Sequence, residues 1–147
     1  LCVAEPLDGA FAQAWQTRTI TETKPCNTLI EGIGRSHVEP GFLFDVVDKV
    51  IEVGDADSCA AAWLLEQLLG RRYGGSSGTN LIACLQLAEA MRDRGETGSI
   101  VSLLCDRGER YEQTLFDRQW LAKHGIGLEP SLEQLRRRIE SPDLKSS

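Results

Sequence analysis

The chain has 147 residues, 41% of them apolar and 26% charged, with 16 Lys and Arg against 22 Asp and Glu for a net charge of −6. That is the make-up of one soluble globular domain able to bury roughly 70% of the surface of its unfolded chain, which excludes collagen-like, disordered and disulfide-stapled mini-protein classes. The acidic balance disfavours nucleic acid as a partner, and no apolar run approaches the ~20 residues of a membrane span.

The opening Leu1-Cys2-Val3-Ala4-Glu5 predicts a strand. It has no initiator Met or basic leader and reads as though cut from within a core element, so a missing part is expected upstream. After Pro6, Asp8 is a candidate cap for a short helix over residues 9–15. Residues 17–41 are polar and hold Pro25, Gly32, Gly34, Pro40 and Gly41, a loop too long to be a mere connector and so expected to be functional. Residues 49–53 alternate charged and apolar side chains and predict a second strand ending at Gly54. Asp55 and Asp57 then offer caps for a helix over residues 58–69, with Ala60, Leu64 and Leu68 on one stripe, Ala61, Leu65 and Leu69 on the next, and Gly70 as its stop.

A glycine-rich turn, Gly74-Gly75-Ser76-Ser77-Gly78-Thr79-Asn80, opens a further helix carrying Leu81, Cys84, Leu85, Ala88 and Met91, which Gly95 stops. Residues 99–105 form a near-continuous apolar run, the pattern of a strand buried on both faces of a parallel sheet. Asp106-Arg107-Gly108 turns the chain into a helix expected over residues 109–124 and ended by Gly125. Ser131 and Gln134 fit a capping box for a last helix through Ile139, followed by a polar tail over residues 141–147. The order is β-α-loop-β-α-loop-α-β-α-α, which implies an α/β fold with a mainly parallel sheet flanked by helices. Two units are expected: an α/β portion over residues 1–126, and a terminal helix and tail over residues 127–147.

Three features could carry chemistry. The Gly75 to Asn80 segment combines glycines that admit close backbone approach, hydroxyls, and free N–H groups at a helix start; it suits a phosphate or a polar ring atom, or is a plain capped turn. It is neither a Walker loop nor a dinucleotide fingerprint. In Ile30-Glu31-Gly32-Ile33-Gly34, two glycines flank Ile33 and let main-chain amides face a cavity, unless Ile30 and Ile33 simply plug into the core. Asp106 follows the predicted buried strand, where α/β proteins gather ligands, and can equally cap the next helix.

The five cysteines, Cys2, Cys26, Cys59, Cys84 and Cys105, are odd in number and scattered, and spell neither a disulfide framework nor a zinc site. Free thiols suit a reducing cytoplasm. Cys26, in the long loop, is a nucleophile candidate, but neither His37 nor His124 can be placed beside it from sequence. Arg136-Arg137-Arg138 is expected on a solvated face, Trp15, Trp63 and Trp120 in packing, and His124 at a helix C-terminus.

Taken in order, Ile-x-Gly-Ile-Gly, Gly-x-Ser-x-Gly and a strand ending in Asp-x-Gly-x-x-Tyr resemble the carboxy-terminal half of a fold-type-II pyridoxal-phosphate enzyme of the cysteine synthase and cystathionine β-synthase family. The resemblance runs from Leu1 to about Gly125, and Val3-Ala4-Glu5-Pro6 is similar to the family strand ending in Val-Glu-Pro. The wording Glu31-Gly32-Ile33-Gly34-Arg35 and Leu104-Cys105-Asp106-Arg107-Gly108-Glu109-Arg110-Tyr111 is closest to a cysteine desulfhydrase-like branch. The resemblance implies that Ser76, with Gly75 and Ser77 beside it, hydrogen-bonds the pyridine nitrogen of pyridoxal 5'-phosphate, with Asp106 near the same edge. It implies that Gly32, Ile33 and Gly34 line the cleft for an amino-acid substrate undergoing β-elimination or β-replacement, and that the enzyme is a homodimer. Cys105 departs from the proline common at its place. The Schiff-base lysine belongs to the family's amino-terminal half; none of Lys24, Lys49, Lys123 and Lys145 stands in that context, so this segment alone is expected to be inactive. The rival expectations are a non-catalytic module binding a phosphorylated ligand at residues 74–80, and a subunit that needs a separate amino-terminal chain.

Overall fold

The computed structural model describes residues 1–20 and 25–140. Lys24, Lys145 and the tail over residues 141–147 lie outside the described residues. Strand β1, Cys2–Pro6, runs parallel to strand β2, Lys49–Val53, in register from Cys2 opposite Lys49 to Pro6 opposite Val53. Between them stand helix α1, Ala10–Thr17, the long loop, and a 3-10 turn at Phe44–Val46. The helices that follow are α2, Asp55–Leu69, and α3, Gly75–Asp93. After α3 come a 3-10 turn at Gly108–Tyr111, α4, Arg118–Lys123, and α5, Leu128–Glu140. This is an α/β arrangement, rich in helix around a small parallel sheet. Among the described residues no helix is long and apolar enough to cross a membrane.

Small side chains set the packing. Ala60, Ala61 and Ala62 on α2 are fully buried, and a Cβ on Gly78 of α3 would stand 2.1 Å from the backbone oxygen of Ser58. The two helices therefore meet backbone to backbone. Ser58 and Thr79, both 1% exposed, satisfy each other across that contact with their hydroxyls 2.9 Å apart. Leu128, Leu132 and Leu135 bring α5 into the same core as Ile51, Val53 and Leu64. A second, smaller cluster holds Ala10, Ala14 and Val38, with Phe11 stacked on Phe42 at 5.2 Å, and ties the far end of the long loop to α1.

Several sequence expectations are corrected. Asp8 does not cap α1: it has φ +63, and the structure gives the α1 N-cap, Gly9, no side-chain bond. The cap comes instead from the buried carboxylate of Glu5 in β1, which accepts the N–H groups of Phe11 and Ala12. Helix α2 starts three residues earlier than expected, and Asp55 spends its carboxylate on the Thr28 hydroxyl at 2.6 Å and the Leu29 N–H at 2.7 Å. The glycine-rich turn is shorter than predicted, because Gly75 to Asn80 already belong to α3.

Residues 99–105 form no strand. Val101 is 91% exposed and Leu103 75%, and no strand ladder holds the run. An apolar sequence supplies the propensity for a strand, but a ladder needs a neighbouring edge, and none of the described strands reaches it. The predicted helix over residues 109–124 is broken, since Asp117 caps α4 through the N–H groups of Gln119 and Trp120. Helix α5 begins at Leu128, ahead of the expected Ser131 cap; Pro130 sits in the first turn, where a missing N–H costs nothing. Arg138 leaves the solvated face as well and makes a bidentate pair with Glu89 of α3 at 2.9 Å on both arms.

Other expectations stand. Gly70 ends α2 at φ +65, and His124 caps α4 with Nδ1 2.8 Å from the Trp120 carbonyl. Trp15 and Trp63 pack, and their indole N–H groups donate to the Val47 and Leu115 carbonyls.

Candidate functional site

The three features singled out from sequence converge on two adjacent glycines at the amino end of α3. Gly74 is in close contact with the segment after residue 105: its N–H donates to the Asp106 carbonyl at 3.0 Å, and a Cβ there would stand 2.0 Å from Asp106 Oδ1. Gly75 takes the other wall, where a Cβ would meet Ile30 Cδ1 at 2.9 Å. Neither glycine has a positive φ. Both are glycines for want of room, not for want of conformational freedom.

The segment over residues 105–108 is stitched to residues 72–77 at every step. The Cys105 N–H donates to Ser77 Oγ at 2.8 Å, the Gly108 N–H donates to the Arg72 carbonyl at 3.1 Å, and Tyr73 and Arg107 form an antiparallel bridge. The departure at Cys105 has a structural consequence, because a proline there could not make the Ser77 bond. Asp106 Oδ2 accepts the Tyr111 hydroxyl at 2.6 Å. Burial first, and that bond second, push the Tyr111 phenol up to about 12, so it stays a donor across the physiological range.

Opposite lies the loop of Ile30 to Gly34. Asp55 at the start of α2 grips Leu29, Ile30 is buried against Gly75, and Glu31 pairs with Arg110 at 3.6 Å. Gly32 and Gly34 take φ +85 and +83, so both glycines here are conformational requirements. Gly34 is also tightly enclosed by Thr28, Cys26 and Pro6, whereas Gly32 faces open space. Ile33 leans on the main core. A small cavity of about 30 Å³ is lined by Ile30, Glu31, Gly75 and Tyr111.

Ser76 is half-buried between these walls, and its hydroxyl has no hydrogen-bond partner among the described residues. The N–H groups of Gly75 and Ser76 likewise have no acceptor among the described residues. Ser77, by contrast, is 1% exposed and committed to Cys105. A free hydroxyl at the positive end of a nineteen-residue helix, beside side-chain-free backbone, can donate to or accept from one planar polar ligand atom.

The nucleophile reading of Cys26 finds no support in the geometry. Its thiol points to the Leu7 carbonyl at 3.4 Å and is pushed up by burial, while His37 pairs with Glu39 and His124 with Trp120. Sequence reasoning missed Glu5, Asp55 and Ser77 as the groups that position this region. The partners of Asp55 and Ser77 are remote in sequence and those of Glu5 lie across a strand-to-helix turn, and only the glycine spacing pointed to the place they support.

No family model matches the chain. It is 44% identical over 126 residues to an L-cysteine desulfhydrase of Mycobacterium tuberculosis, covering 86% of this chain and 34% of that protein. It is 30% identical over 119 residues to cysteine synthase 1 of Neurospora crassa, covering 79% of this chain and 30% of that one. In structure it is similar to O-acetyl serine sulfhydrylase isoform 3 of Entamoeba histolytica, with a TM-score of 0.63 and 26% identity, covering 86% of this chain and 36% of that one. The chain spans about a third of the length of the curated relatives it matches.

Proposed function

This chain belongs to the pyridoxal-phosphate-dependent cysteine synthase family, and on that premise we propose that it forms one wall of an active site for β-elimination or β-replacement on cysteine or O-acetylserine-like amino acids. The observation that carries the reading is the unpartnered Ser76 hydroxyl at the start of α3, set between the Ile30 loop and the Asp106 segment. Bound pyridoxal phosphate supplies an electron sink for loss of the β-substituent. The residues present fit it: Ser76 offers the pyridine nitrogen a neutral hydroxyl at the amino end of α3, beside the Gly75 and Ser76 N–H groups that have no acceptor among the described residues. A hydroxyl, unlike a carboxylate, does not hold that nitrogen protonated, which limits how far the ring withdraws electrons.

Asp106 serves this site by position. Its carboxylate is occupied by Tyr111 and its backbone by Gly74, so it fixes where Ser76 stands. Gly32 to Gly34 offer backbone amides to the substrate carboxylate, with Gly32 on the open side. The Schiff-base lysine comes from outside these residues, in a homodimeric cytoplasmic enzyme.

The test is sulfide release from L-cysteine, and formation of cysteine with loss of acetate from O-acetylserine and added sulfide, by the polypeptide that carries these residues. Ser76→Ala is expected to lower turnover at least tenfold and to move the visible absorption band of the bound cofactor, with amino-acid binding kept. Unchanged turnover and an unmoved band in Ser76→Ala overturn the role of Ser76; absence of cofactor uptake by the wild-type polypeptide overturns the reading as a whole.

A further inference from the structure

The Ile30 to Gly34 loop is fastened on both flanks and open at Gly32. On its amino side, Asp55 holds the Thr28 hydroxyl and the Leu29 N–H, the Thr28 oxygen accepts the Ile30 N–H at 3.1 Å, and the Ile30 side chain is buried against Gly75. On its carboxyl side, the Arg35 carbonyl accepts the Ala10 N–H at 3.1 Å, and Val38 is buried in the second cluster. Between these anchors Gly32 takes φ +85, and a Cβ on it would meet nothing within 4 Å. A glycine in open space keeps backbone freedom that anchors on either side do not remove.

A side chain from the opposite wall reaches this point. Arg110 stands in the 3-10 turn at Gly108–Tyr111, whose base is fixed: the Gly108 N–H donates to the Arg72 carbonyl at 3.1 Å, and the Tyr111 hydroxyl donates to Asp106 at 2.6 Å. The Arg110 guanidinium lies 5.3 Å from the centroid of the Tyr111 ring and 3.6 Å from the carboxylate of Glu31, the residue before Gly32. Among the described residues no other ion pair joins the Ile30 loop to the Asp106 segment. The two side chains are 67% and 59% exposed, and a pair so exposed adds little to the stability of a fold. What it does is set one backbone stretch against another, where the stretch it reaches is the least constrained part of the loop.

Resting on the function proposed above, we propose that Glu31 and Arg110 are positioning residues for the amino-acid substrate: their ion pair ties the open stretch of the loop to the Asp106 segment and so holds the Gly32 to Gly34 amides where the substrate carboxylate is received. Neither residue acts on the reacting atoms. Cutting the tie loosens the receiving amides but leaves the Asp106 segment in place, because Gly74, Ser77 and Tyr111 hold that segment independently. The effect therefore falls on substrate binding and not on the chemical step. An exposed ion pair can supply about two- to fivefold of such an effect, and salt screens it.

The test uses Glu31→Gln, Arg110→Gln and the charge-exchanged double variant Glu31→Arg with Arg110→Glu, in the polypeptide that carries these residues. Each single variant is expected to raise KM for L-cysteine about two- to fivefold, with kcat, the visible band of the bound cofactor and the thermal midpoint unmoved. The double variant is expected to return KM most of the way to wild type. The gap in KM between wild type and Glu31→Gln is expected to close at about 1 M salt, where the screening length falls to about 3 Å. In the cofactor-free protein, amide exchange at Gly32 and Ile33 is expected to quicken about two- to fivefold in each single variant and to recover in the double. Unchanged exchange in both single variants, faster exchange with KM unmoved, a fall in kcat that matches the rise in KM, or a double variant no better than the singles overturns the proposal. A wild-type polypeptide that takes up no cofactor overturns the reading of the site and the substrate role with it, and the exchange measurement still decides by itself whether the pair ties the loop.

Discussion

The Cys105 backbone N–H donates to the Ser77 hydroxyl at 2.8 Å, joining the segment after residue 99 to the second residue beyond Gly75 in α3. Ser77 is 1% exposed, so its hydroxyl is shielded from water although Cys105 at the other end of the bond is exposed. Cys105→Pro is expected to cost about 1–3 kcal/mol in chemical denaturation, the range for leaving a buried polar group unsatisfied. Cys105→Ser keeps the N–H and is expected to stay within about 0.5 kcal/mol of wild type.

The N-cap glycine of α3 and a glycine inside it separate a clash that can be relieved from one that cannot. Gly74→Ala drives a Cβ against the Asp106 side chain, and Gly78→Ala drives one against the Ser58 backbone. Each is expected to destabilise by about 1–3 kcal/mol or more. In double-mutant cycles Asp106→Ala recovers part of the Gly74→Ala loss, whereas Ser58→Ala recovers none of the Gly78→Ala loss.

Glu5 makes an unusual contribution to pH dependence. Burial raises its carboxyl above the ordinary 4.5, against the lowering by the Ala12 and Phe11 N–H groups. The folded chain therefore holds this proton at pH values where the unfolded chain has lost it. Its contribution to stability is greatest below the unfolded value and falls as pH rises through the folded one. Denaturation midpoints should show that decline in wild type as pH rises above the ordinary 4.5 and lose it in Glu5→Gln, relative to otherwise identical titration. Glu5→Gln also turns an amide donor toward one of the two N–H groups of α1, at a cost of about 1–3 kcal/mol.

Tyr111 has the same sign at the alkaline end. Its folded value of about 12 lies above the ordinary 10, so its contribution is complete below pH 10 and lost as pH rises through 12. Tyr111→Phe is expected to cost about 1–2 kcal/mol at neutral pH and to remove the late-titrating phenol from an ultraviolet pH titration.

The parts of the fold legible in sequence are those fixed by local periodicity. The alternation at Lys49–Val53, the alanine and leucine stripes of α2 and the stop at Gly70 are each settled within a few residues. What was not legible depends on partners in a different element. Asp55 reads as a helix cap but holds Leu29, and Asp8 reads as a cap where Glu5 does that work. Residues 99–105 carry the composition of a buried strand without the edges that would make them one. For the candidate site, the Gly74 to Asn80, Ile30 to Gly34 and Asp106 motifs were visible singly. Their meeting at Gly74 and Gly75 follows from contacts spanning up to 45 residues, which spacing does not encode.

The backbone contact between α2 and α3 bears on the order in which the chain assembles. Helices Asp55–Leu69 and Gly75–Asp93 are joined by a short link, so their Gly78 to Ser58 seam closes a loop of about twenty residues. The β1 to β2 ladder must bridge more than twice that length, from Cys2 to Lys49. Chain-closure entropy thus favours the helical pair as the earliest lasting structure, with the sheet recruited onto it afterwards. In an unfolding-rate series, Ala61 and Gly78 substitutions should slow folding, while those in β1 should mainly hasten unfolding.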